Sequence, residues 1–151
     1  MRSIVRNAVD EFLGILRYDK TEWKDFWKRL KKRFSPLLDG YEECVERACE
    51  KLERIRRMDL DRFRRFWEER GKEIKSSLAY EIRRRAGELK LSREDFVVFL
   101  ISGVGSEGIC VVDGKKEKVI LVDVFAFWME GNVDHIPEAV LKTVKGMREE
   151  G

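Results

Sequence analysis

The spacing of apolar residues changes once along this chain, near Leu91-Ser92, and that change constrains the fold more than any single residue does. Before it, apolar positions recur at the three-to-four spacing of a helix face; after it, they form short unbroken β-branched and aromatic runs. Ile4, Val5, Ala8, Val9, Phe12, Leu13 and Leu16 make a first helical stripe, interrupted at Tyr18-Asp19-Lys20 ahead of Thr21, a residue suited to an N-cap. Trp23, Phe26, Trp27, Leu30 and Phe34 make a second, closed by Ser35-Pro36. Leu38, Tyr41, Val45, Ala48, Leu52 and Ile55 give a third helix a heptad-like seam. Phe63, Trp67, Ile74, Leu78, Ile82 and Leu89 carry a fourth to about Lys90. Gly71 is where that helix can break, because glycine costs about 1 kcal/mol against alanine there.

Beyond the change, Val97–Ile101, Ile109–Val112 and Val119–Phe125 read as strands. Asp113-Gly114-Lys115-Lys116 joins the second and third as a hairpin turn, so they pair antiparallel. A last helix starts near Pro137 with Ile136, Val140, Leu141 and Val144 on one side. Strands this continuously apolar need cover on both faces, and the helices supply it. The expectation is an α+β fold: an N-terminal helical bundle of about four helices, packed on a small, mainly antiparallel three-stranded sheet with a C-terminal helix. At 151 residues the chain reads as a single domain, residues 1–91 its helical part and 92–151 its sheet and final helix.

Composition narrows the setting. Hydrophobic residues make up 43% of the chain and charged residues 40%, enough for a core and too much apolar content for a disordered polymer. No apolar run approaches the roughly 20 residues of a bilayer span, so no membrane partner is expected. The segment Met1 to Asn7 reads as the entry to an amphipathic helix, not a secretion signal, which points to a cytoplasmic protein. Glutamine is absent and Asn7 and Asn132 are the only asparagines, while Lys, Arg and Glu abound, as in a thermophile's protein. Cys44, Cys49 and Cys110 read as buried free thiols, because a helix sets Cys44 and Cys49 on different faces and too far apart for a disulfide.

Charge is unevenly placed. Residues 1–93 carry 26 Lys and Arg against 18 Asp and Glu, whereas residues 94–151 carry 6 against 11. The opposed signs suit an anionic partner for the helices, attraction between the two parts, or contact with a second copy of the chain. Arg54-Ile55-Arg56-Arg57, Arg62 to Arg65 and Arg83-Arg84-Arg85 stand among glutamates within helical reach, which assigns most of them to surface ion pairs. Lys28, Arg29, Lys31, Lys32 and Arg33 follow Asp25 with few acids of their own and form the better basic patch for a phosphate backbone. The aromatic stripe between them reads as core.

Two further groups carry residue types suited to chemistry. Gly103-Val104-Gly105-Ser106-Glu107-Gly108 has the letters of a dinucleotide-binding loop, but a strand follows it where the pyrophosphate needs a helix N-terminus, so a strand-connecting loop is the expectation. Asp123, Asp134 and His135, with Glu130 and Glu138 close in sequence, can be read as a metal-dependent hydrolase site. One histidine among scattered carboxylates is more simply a helix-entry turn, with Asp134 near an N-cap, so no metal or cofactor is expected.

The run from Val97 to Val144, an apolar strand, the Gly103–Gly108 loop, a hairpin and a helix entered through Ile136-Pro137-Glu138, resembles the region upstream of the active-site helix in zincin-type metallopeptidases. That resemblance covers about the last third of the chain. It implies a helix bearing His-Glu-x-x-His for zinc and water activation, whereas Glu138 to Lys145 contains no histidine, so no catalytic residue carries over. The expected function is a non-catalytic binding or assembly module, a zincin-like relative lacking the zinc site, acting through self-association or another protein. Nucleic-acid binding through Lys28, Arg29, Lys31, Lys32 and Arg33 is the first alternative, and the metal-dependent hydrolase the second.

Overall fold

A computed structural model describes residues 5–33, 54–86, 96–102, 108–113 and 118–150. In chain order the elements are β1 (Val5–Asn7), α1 (Val9–Leu13), α2 (Trp23–Arg33), α3 (Arg57–Ala86), β2 (Phe96–Ile101), β3 (Ile109–Asp113), β4 (Lys118–Asp123), α4 (Val124–Met129) and α5 (Ile136–Glu150). Short 3-10 turns at Gly14–Arg17, Lys20–Glu22 and Val133–His135 link them. The expected third helix and its seam up to Leu52 lie outside the described residues, as do Cys44 and Cys49.

The fold remains α+β, but its sheet corrects the sequence-based expectation. It is four-stranded and mixed, in the order β1-β2-β4-β3. β3 and β4 pair antiparallel, Val111 opposite Ile120, whereas β2 pairs parallel with β4 and β1 pairs parallel with β2. β4 therefore slots between β2 and β3, and the hairpin's first strand is pushed to the edge. The extra strand comes from the start of the expected first helix: Val5 pairs with Val98 and Asn7 with Leu100. Three residues are too few to show a period of two, so only the β2 edge reveals them. The Asn7 side chain then accepts a hydrogen bond from the Val9 backbone N–H at 3.0 Å, turning the chain into α1.

The helices also depart from a bundle that precedes the sheet. The longest is central: α3 runs for 30 residues, about 45 Å at 1.5 Å per residue, and passes through Gly71 without a break. Packing explains this. A Cβ at Gly71 would lie 2.7 Å from Cε2 of Trp67, so the missing side chain leaves room for the indole to lie along its own helix. The third expected strand is shorter than its apolar run. Asp123 ends β4 and its carboxylate accepts from the Ala126 N–H at 3.2 Å, starting α4 at Val124 and Phe125.

One core unites these elements. Leu60, Phe63, Trp67, Ile74, Leu78 and Ile82 line the buried side of α3, which packs against α5, α4 and β1. Phe63 sits at the centre of an aromatic group, 5.5 Å from Phe125 and 5.6 Å from Trp128 between ring centroids. All six residues of β2 are buried, as expected of a central parallel strand covered on both faces. Among the described residues, no helix is long and apolar enough to cross a membrane.

Candidate binding surface

α2 is where the sequence placed its basic patch, and its two faces are now fixed. Trp23, Trp27 and Leu30 are buried, and Phe12 meets Trp27 edge-to-face with centroids 5.1 Å apart. Lys28, Arg29, Lys32 and Arg33 are exposed. Lys31 lies in the same helix, its side chain outside the described set. Six basic residues stand in α2 against one acid, Asp25. Burial of the aromatic stripe thus orients the cations outward, because one helix cannot turn both faces to the core.

The Tyr18 segment steadies this face. Its carbonyl oxygen accepts from Trp23 Nε1 at 3.2 Å and from Arg57 Nη1 at 2.8 Å, while Arg57 Nη2 donates to the Leu16 carbonyl. Arg57, at the start of α3, thereby ties the loop before α2 to the long helix. The Tyr18 ring in turn packs 5.4 Å from Phe26 and receives the Arg29 guanidinium 5.3 Å over its face. Neither Tyr18 nor Arg57 could be singled out from sequence, since their contact spans 39 positions and has no local spacing.

Elsewhere the arginines behave as surface ion pairs. Arg56 reaches Asp59 at 3.0 Å, Arg64 reaches Asp61 at 2.7 Å, Arg84 reaches Glu81 at 2.9 Å and Arg70 reaches Glu73 at 3.6 Å. Each partner lies within one turn along the chain; the pairs of Arg64, Arg70 and Arg84 are solvent-screened and contribute little to stability, whereas Arg56, one residue before α3, meets a carboxylate that is buried.

The hydrolase residues are not brought together. Asp123 is buried at the end of β4 and caps α4, whereas Asp134 and His135 are exposed in the turn before α5. Among the described residues, no three His, Cys, Asp or Glu side chains form a group that could hold a metal ion. Asp134 instead lines a shallow depression of about 100 Å³ with Arg70, Glu73, Ile74, Ser77, Val133 and Pro137. Of the glycine loop, Gly108 is described: its carbonyl accepts from the Asp123 N–H at 2.8 Å, joining the start of β3 to the end of β4. Ser102, just past β2, is fully buried and its hydroxyl has no hydrogen-bond partner, a feature with no sequence signal.

No family model, curated protein or solved structure matches the chain. The functional reading therefore rests on this geometry. Its best-defined element is a basic helix face held in place by its own buried aromatics and by the Arg57 tie.

Proposed function

We propose that the chain is a non-catalytic binding module that holds a nucleic-acid phosphate backbone against the solvent face of α2. One observation carries the reading: the helix that buries Trp23, Trp27 and Leu30 presents Lys28, Arg29, Lys32 and Arg33 on its other side. Because the core fixes the helix, these cations are presented together without folding on binding, and a polyanion seated on them releases its counterions. Arg29 adds a planar donor set already held over Tyr18.

A polarisation titration with generic RNA and duplex DNA between about 50 and 200 mM salt tests it, since each phosphate contact contributes about −0.9 to the log–log slope. Replacing Lys28 and Lys32 with glutamine should flatten the slope by about two and leave thermal unfolding unchanged, because both side chains face solvent. Absence of binding at low salt defeats the proposal.

Self-association is a second reading, and the seam that suggested it lies mostly outside the described residues. The observation that favours it is the edge strand β3, where Val111 is 40% exposed. A strand at the edge of the described sheet can pair with the corresponding strand of a second copy.

A further inference from the structure

We propose that the polyanion on α2 is a double-stranded nucleic acid, held by its phosphates with no reading of base sequence, an inference that rests on the polyanion reading of α2. The cations of this helix form an ordered array. Lys24, Lys28 and Lys32 follow one another at i,i+4 positions, and Arg29 and Arg33 continue a neighbouring row that Asp25 begins. All six residues are exposed, whereas Trp23, Trp27 and Leu30 on the other side are buried. From Lys24 to Arg33 the array runs about 14 Å along the helix, at 1.5 Å per residue. Its charge is uncommitted at the centre. Among the described residues, no carboxylate pairs with Lys28, Arg29 or Lys32, whereas Arg64, Arg70 and Arg84 on α3 each reach one within a turn. Seating phosphates on these three residues of α2 therefore breaks no ion pair.

What this face lacks selects the ligand. Single strands are held by stacking of their bases as well as by charge, and the rings of α2 are turned to other work. Trp23 and Trp27 are 1% and 2% exposed, and Phe26 packs against the Tyr18 ring, which carries the Arg29 guanidinium over its face. Helix α2 also contains no Asn, Gln, Ser or Thr, the neutral side chains that pair with base edges or a ribose hydroxyl. Charge remains, and a duplex concentrates it: about one phosphate per 1.7 Å of axis, or about eight over the length of the array. A lipid surface fits less well, since a helix lying in a bilayer interface inserts its apolar face, and that of α2 is buried in the core.

Polarisation titrations of the full chain with labelled duplex DNA of two unrelated sequences, duplex RNA and oligo(dT), all of one length, test the inference. At low salt the three duplexes should bind alike, within about threefold, where base readout separates sequences by about tenfold per contacted pair. Oligo(dT) should bind about tenfold more weakly and with a shallower salt slope, since a contact contributes about −0.7 on a single strand against −0.9 on a duplex. Asp25→Asn addresses the array itself. It removes the one acid from α2, so duplex binding should tighten about threefold, and far-UV circular dichroism verifies that the helices are retained. Oligo(dT) bound as tightly as the duplexes, or discrimination among the duplexes, overturns the inference and leaves the polyanion reading of α2 standing. An affinity indifferent to Asp25→Asn overturns the array as the seat of the duplex. Absence of nucleic-acid binding at low salt, with or without binding to phosphatidylserine vesicles, overturns both readings.

Discussion

Replacing Gly71 with alanine separates packing from helix propensity by the sign of its effect. Propensity alone favours the substitution by about 1 kcal/mol, since Gly71 lies inside the 30-residue helix α3. The packing opposes it. The new Cβ would lie 2.7 Å from Cε2, 2.9 Å from Cδ2 and 3.1 Å from Nε1 of Trp67. These atoms belong to one rigid ring that is only 4% exposed, so relief requires moving an indole packed 6.2 Å from Phe63. Overpacking of this kind costs roughly 1–3 kcal/mol, and a clash with three atoms of a buried ring belongs near the upper end. The net expectation is a loss of about 2 kcal/mol, or about 4–8 °C in the unfolding midpoint of a chain of this size. Thermal and urea unfolding followed by circular dichroism measure it. A second arm isolates the cause: in a Trp67→Leu background the clash is gone, and Gly71→Ala should then stabilise by about 1 kcal/mol. A rise in midpoint for Gly71→Ala alone would refute the packing account of why the helix tolerates its glycine.

Asp123→Ala should destabilise the fold by about 1–2 kcal/mol in denaturant unfolding, because it removes the acceptor that caps α4. Asp123→Asn, which keeps an acceptor at that position, should lose clearly less; equal losses would mean that capping is not what the carboxylate contributes. For the self-association reading, Val111→Lys should convert an oligomer to monomer in light scattering, since a lysine on an edge strand resists pairing. If the wild-type chain is already monomeric at high concentration, that reading is excluded.

Much of the local structure was legible because it is written in spacing. The buried positions of α2 and α3 recur at helical intervals, and the three apolar runs mark β2, β3 and β4, since the side chains that must be buried are themselves the signal. The outward face of α2 was legible for the same reason: once Trp23, Trp27 and Leu30 are assigned inward, Lys28, Arg29, Lys32 and Arg33 can only face out. The apolar run at Val119 to Phe125 could not show its own break, because Val124 and Phe125 are as apolar in α4 as they would be in a strand. Only the Asp123 cap divides them.

Tertiary structure decided the rest. Val5 to Asn7 became a strand because the edge of β2 offered backbone partners, and hydrogen-bond satisfaction between distant segments leaves no local pattern in so short a stretch. Parallel pairing of β2 with β4 likewise depends on which strands meet across the sheet, not on the composition of either. The Arg57 tie to Leu16 and Tyr18, and the meeting of Phe66 with Trp128, join residues far apart in sequence. Sequence by itself therefore determined which faces are buried and which basic residues reach solvent, since both follow from side-chain hydrophobicity repeated at a fixed period. Strand order, strand direction and the pairing of distant aromatics came only with the folded chain, because they are set by contacts whose energy depends on both partners at once.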